Sequence, residues 1–190
     1  MKALISNILL PVVLIALVCM LVIIAHWPAL SAQAVAFDDQ QYVIDNSLVR
    51  NPSWESAKQF LVEVFKPSTV EGYYQPLSMI SLMLDYSLGA NQNNLYIFHR
   101  TSLIIHAANT ALIIILLYML FGSIGIAALV GLLFGLHPMT VEPIPWLSER
   151  KTLLAAFFSL WSLIFYVFHT RSNIQKVSVY RPLFSVLCFL

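Results

Sequence analysis

The sequence predicts an all-α protein: a polytopic transmembrane helix bundle whose long extracytoplasmic first loop contains short interfacial helices. Three observations carry this prediction. Of 190 residues, 59% are hydrophobic and only 10% charged, with a mean hydropathy of +0.81; an average soluble domain is about half apolar and about a quarter charged. Apolar runs recur at helix length between polar loops, and basic residues are spread unevenly around them. Ten basic and nine acidic side chains leave a net charge of +1, which offers no electrostatic footprint for nucleic acid. The abundance of aliphatic and aromatic residues excludes disorder. Cys19 and Cys188 lie inside apolar runs and read as small hydrophobes, not as a disulfide framework or a metal cluster.

The runs define spans at about residues 8–25, 100–121, 123–138 and 151–168, with an incomplete one at 182–190. The first carries 18 uncharged residues, close to the roughly 20 needed to cross a hydrocarbon core of about 30 Å. The third is shorter in its apolar part and must borrow its flanks or rest against other helices. The last is too short to cross, so the natural protein is expected to continue beyond Leu190. Lys2, the first apolar run and Ala32-Gln33-Ala34 also permit a cleaved signal peptide, although the run exceeds the usual length of about 7–15 for such a segment.

Charge bias sets the expected sidedness. With a cytoplasmic N-terminus, Lys2, Arg171, Lys176 and Arg181 fall inside with no acid beside them, and the loop from His169 to Arg181 is the main witness. Arg100, Arg150 and Lys151 then lie at outer ends of spans, against the rule, which asks for a functional reason. The outer loops are about 27–95 and 137–151. In the first, Asn51-Pro52-Ser53-Trp54-Glu55 reads as a turn and helix start, with helix through Phe65. Leu77, Ile80, Leu84 and Leu88 recur at helical spacing, with Ser81 and Asp85 off that stripe, as in an interfacial helix. The protein is thus expected to be a multi-pass protein of a bacterial inner membrane, or of the endoplasmic reticulum if its source is eukaryotic.

Three constellations could carry chemistry. Asp38 and Asp39 follow the first span; paired carboxylates there suit general-base work, one taking a proton while the other tunes or orients. They equally suit a solvated loop, or an N-cap for a short helix at Gln40-Gln41-Tyr42. The second outer loop gathers His137, Glu142, Glu149, Arg150 and Lys151 around three prolines that bar regular helix. Its cations suit an anionic headgroup or a phosphate leaving group, or else they snorkel at a helix end beside Trp146. No pair of ligands falls at helical spacing for a metal. His106 and Asn109 share one face of the second span, as for interhelical hydrogen bonds or a substrate contact.

Taken in order, these pieces resemble a family. Phe37-Asp38-Asp39, Tyr74-Gln75-Pro76-Leu77, Phe98-His99-Arg100-Thr101 through His106-Ala107-Ala108-Asn109, Leu136-His137-Pro138 with Val141-Glu142, and Ser148-Glu149-Arg150-Lys151 are together similar to the N-terminal membrane half of GT-C glycosyltransferases that bear tetratricopeptide repeats. These are the O-mannosyltransferases of that type and their bacterial relatives. The likeness covers roughly Val35 to His169. It implies transfer of a sugar from a polyprenyl-phosphate donor held in the membrane to a hydroxyl of a protein or glycan acceptor, without a cofactor or metal. It further implies Asp38 as general base, with Asp39 beside it. Donor or substrate contacts would come from His137, Glu142, Arg150, Lys151, Tyr74 and His99. Two departures stand out: Gln75 occupies a position usually held by Arg, and the later spans and the repeat domain are missing, so the isolated chain is expected to lack transferase activity. The residues also fit a non-catalytic membrane scaffold or degenerate fragment. A transporter fits less well, since His106 stands nearly alone among ionisable groups at membrane depth.

Overall fold

A computed structural model describes residues 2–33, 38–65, 69, 70 and 73–172, with side chains from Leu9 to Arg171. The short apolar run at the C-terminus, the basic residues Lys176 and Arg181, and Phe37 and Ala34 of the motifs above lie outside the described residues. Among the described residues the fold is all-α: eight helices with short 3₁₀ and π-type turns between them, and no strand beyond one isolated bridge between Asn91 and Asn94.

Helix α1, Lys2–His26, continues as a 3₁₀ turn over Trp27–Ser31. It carries Pro11 in its interior, which membrane helices tolerate. Helix α2 is a single turn, Ser47–Arg50, and α3 runs Trp54–Val62. Ser53 starts α3 by accepting from the Ser56 backbone N–H, so the expected helix start stands where Ser is worth about 1 kcal/mol as a cap. The helix tightens to 3₁₀ over Glu63–Phe65. Helix α4 spans Pro76–Ser87, with Pro in the first turn, where its missing N–H is harmless.

The longest helix is α5, Tyr96–Phe121, started by Asn94, whose side-chain oxygen accepts from the Tyr96 N–H. Helix α6 covers Ile124–Leu136, α7 is one turn at Pro138–Val141, and α8 is Arg150–Ser172, entered through a 3₁₀ turn at Leu147–Glu149. Among the described residues, three stretches are long and apolar enough to cross a membrane: Leu9–Ser31, Tyr96–Phe121 and Leu147–Arg171. The protein is a membrane protein.

The chain folds as two compact units. One comprises residues 1–25, 105–140 and 155–190; the other, residues 26–104 and 141–154. In the first, Val18, Val22, Ile114, Ala127 and Ala128 form the core. The short α6 packs here through small residues: Gly131 lies against Ile114, and Gly135 against Val22 and Thr110. His106, in the same unit, places Nε2 3.0 Å from the Gly135 carbonyl and stacks on Phe134, so it serves helix packing.

The second unit is built on Tyr42, Val49, Phe60, Met79, Leu82, Phe98 and Leu147. Helix α4 keeps the expected stripe and adds a buried charge to its other side. Leu77, Leu84 and Leu88 are exposed, as for an interfacial stripe, but Asp85 is buried with Met79, Leu82 and Met83. A carboxylate turns inward only where a partner meets it, and Arg150 does so here.

Candidate functional site

Asp38 and Asp39 begin a π-type turn at Gln40–Ile44, but Asp39 does not cap it with its side chain. Asp39 instead is fully buried, and its Oδ1 accepts from the Ser148 backbone N–H at 2.9 Å, across 109 positions of sequence. That bond ties the first loop to the turn that opens α8. Asp38 remains exposed, within electrostatic reach of Lys151 and Tyr42.

Lys151 pairs with Glu149 at 2.9 Å, and both side chains keep partial access to water. Its ammonium lies 5.7 Å from the Tyr42 ring centroid and 5.5 Å from that of Tyr73, an arrangement that favours a cation on aromatic faces. Tyr42 donates its hydroxyl proton to Gln75 Oε1 at 3.1 Å. Burial pushes the Tyr42 phenol above its ordinary pKa, against the downward pull of Lys151, so it stays protonated and can keep that bond. Asp38, Lys151, Tyr42, Tyr73 and Glu149 thus form one partly open cluster carrying two carboxylates and a cation.

Arg150 is placed differently from its expected role. It is 0% exposed, and its guanidinium donates from Nε to Ser102 Oγ (3.1 Å), from Nη1 to Ser81 Oγ (2.7 Å), and from Nη2 to both Asp85 Oδ2 and the Phe98 carbonyl (2.8 Å each). Neither Glu142 nor Glu149 is its partner, and no face of it is left open for a lipid phosphate. Thr101 donates to the other Asp85 oxygen at 2.6 Å. Burial raises the Asp85 pKa, opposed by Arg150 and Thr101, which favour its charged form. Removing one partner of such an enclosed pair costs about 3–5 kcal/mol, because the other charge is left uncompensated.

His99 is also fully buried, with Nε2 3.0 Å from the Ala32 carbonyl and Nδ1 3.3 Å from that of Ile144. It links the end of the first span, α5 and the second loop. Tyr74 donates to the Leu61 carbonyl at 2.9 Å and braces α3. Glu142 is exposed in the same unit, whereas His137 belongs to the other unit and accepts from the Met139 N–H. Of the residues singled out in sequence, Asp38, Asp39 and Lys151 are therefore brought together, while Arg150, His99 and Tyr74 hold backbone and helices. Sequence reading missed Asp85, Ser81 and Ser102 as partners of Arg150; the one signal was an Arg placed against the charge rule, for which a lipid phosphate, Glu142 or Glu149 is the expected partner and Asp85 the observed one.

The chain is 32% identical over 105 residues to protein O-mannosyl-transferase tmtc2 of Xenopus laevis, a match covering 55% of this chain and 12% of that protein. A protein O-mannosyl-transferase of Caenorhabditis elegans is 26% identical over 147 residues, 74% of this chain and 21% of its own length. The human protein O-mannosyl-transferase TMTC2 is 30% identical over 96 residues, 50% of this chain and 11% of that protein.

The chain is similar to protein O-mannosyl-transferases.

It spans only about a tenth to a fifth of the length of these curated relatives. No family model matches the chain, and no solved structure matches it.

Proposed function

We propose that this chain carries the acidic first loop and neighbouring spans of a GT-C type membrane glycosyltransferase, akin to the tetratricopeptide-bearing O-mannosyltransferases. The reaction moves a sugar from a polyprenyl-phosphate donor to an acceptor hydroxyl on the extracytoplasmic side, with the N-terminus cytoplasmic. The observation that supports it best is an exposed Asp38 beside a half-open Lys151, in two loops joined by the Asp39–Ser148 bond. The names of the relatives point the same way.

In this scheme Asp38 takes the proton of the acceptor hydroxyl as its oxygen attacks the anomeric carbon. The bond from that carbon to the phosphate oxygen breaks with inversion, and the electron pair leaves on the polyprenyl phosphate. Lys151 stabilises the charge that develops there. Asp39, enclosed and already accepting a backbone N–H, holds the loops in register. Glu142 supplies a further donor or acceptor contact, and no metal takes part.

The test is sugar transfer in membranes containing the intact protein, with a polyprenyl-phosphate mannose donor, for the parent and Asp38→Asn. General-base loss lowers the rate by about 10²–10⁴. Turnover within a few-fold of the parent overturns the assignment. One observation favours a second reading, a non-catalytic scaffold: Gln75, where such enzymes usually have Arg, is occupied by Tyr42 and brings no cation. Donor-independent partner binding, with no transfer by the parent, supports that reading.

A further inference from the structure

We propose that the buried Asp85–Arg150 pair is the positioning element that sets Lys151 beside Asp38. This rests on the transferase reading above. Arg150 is the first residue of α8 and Lys151 the second, so the rotation of that first turn decides where the Lys151 ammonium points.

The contacts of Lys151 itself are too weak to set that rotation. Its pair with Glu149 is 29% and 22% exposed, and such pairs hold little against solvent. Arg150 is the opposite case. Its fork is enclosed and meets acceptors on α4 (Ser81, Asp85) and α5 (Phe98, Ser102), so three helices converge on one planar group. A guanidinium taken out of water is tolerated only when its geometry is met, and that requirement fixes the turn from which Lys151 projects. Lysine has no planar fork and cannot reach all four acceptors, so charge alone does not replace it.

A double-mutant cycle on the intact protein in membranes tests this with two readouts. One is the rate of amine-directed labelling at Lys151, followed by mass spectrometry; the other is sugar transfer, resolved into donor KM and kcat. In Asp85→Asn and Arg150→Lys, Lys151 should label several-fold faster, because its amine leaves Glu149 and the Tyr42 and Tyr73 rings. Transfer should fall toward the level of Lys151→Gln, and Asp85→Asn added to Lys151→Gln should cost nothing further, since a residue acting through Lys151 has no effect once Lys151 is gone. Labelling at the parent rate, or losses that add, overturn the proposal. If Asp85→Asn fails to insert, Ser102→Ala, which removes one of the four bonds, carries the same cycle. If Lys151→Gln leaves transfer intact, the assigned role of Lys151 in transfer is refuted, and the labelling arm still decides whether the pair positions it.

Discussion

Asp38 and Asp39 are neighbours in the chain with opposite environments, one exposed and one enclosed. That separates two kinds of loss. Asp39→Ala leaves the buried Ser148 N–H without its acceptor, at a cost of about 1–3 kcal/mol. Asp39→Asn keeps an oxygen there and should cost much less. Thermal unfolding in detergent should therefore rank Asp39→Ala well below Asp39→Asn, with Asp38→Asn near the parent despite its lost transfer. Equal stabilities for both Asp39 variants would remove the structural role. The acidic pair is visible in the sequence because two carboxylates after an apolar run are conspicuous. Which one is buried is not visible, since that depends on residue 148, 109 positions away. Arg150 and Lys151 likewise stand out because a cytoplasmic N-terminus would set them against the charge rule, yet nothing local distinguishes the enclosed cation from the open one.

At the scale of elements, α6 shows how a short helix is held. Its 13 residues extend about 20 Å as helix, less than the hydrocarbon thickness of about 30 Å, so it depends on close packing. Gly131 and Gly135, four apart, let it approach Ile114 and Thr110 of α5 and Val22 of α1, and a Cβ at either position meets those side chains too closely. Gly131→Ala and Gly135→Ala should each destabilise by about 1–3 kcal/mol through overpacking. Gly125→Ala is the control: nothing lies within 4 Å of its would-be Cβ, so it should be neutral or mildly stabilising. Melting of the purified protein in detergent checks the set; equal effects at all three positions would mean the approach is not tight. The helices themselves are legible from apolar run length. The side chains that receive the glycines are not, because helix pairing is a property of three segments at once. In α4 the spacing rule picks out the exposed stripe of Leu77, Leu84 and Leu88 and leaves Asp85 off it, but it does not show that Asp85 is buried, which needs a cation from α8.

For the molecule as a whole, the spans are legible and their sidedness is a matter of charge. The Asp39–Ser148 bond joins the two loops on either side of α5 and α6, so both loops must lie on one side of the membrane and the two helices must return the chain to it. The end of α8 carries His169 and Arg171 in its last turn, where basic residues suit both the helix C-terminus and the cytoplasmic face. Single cysteines replacing Asn93 and Glu142, both exposed, should react with a membrane-impermeant thiol reagent added from the extracytoplasmic side. A cysteine at Thr170, also exposed, should react only when the cytoplasmic side is opened. Cys19 and Cys188, the two cysteines of the sequence, are replaced by Ser beforehand so that labelling reports one position. Reaction of positions 93 and 142 from opposite sides would contradict the bond between the loops. Reaction of all three from one side would keep that bond but refute a single crossing by α8. If 93 and 142 agree and 170 opposes them, yet all are inverted relative to the cytoplasm, the cations Arg150 and Lys151 obey the charge rule after all, and the reason for placing a phosphate beside Lys151 disappears.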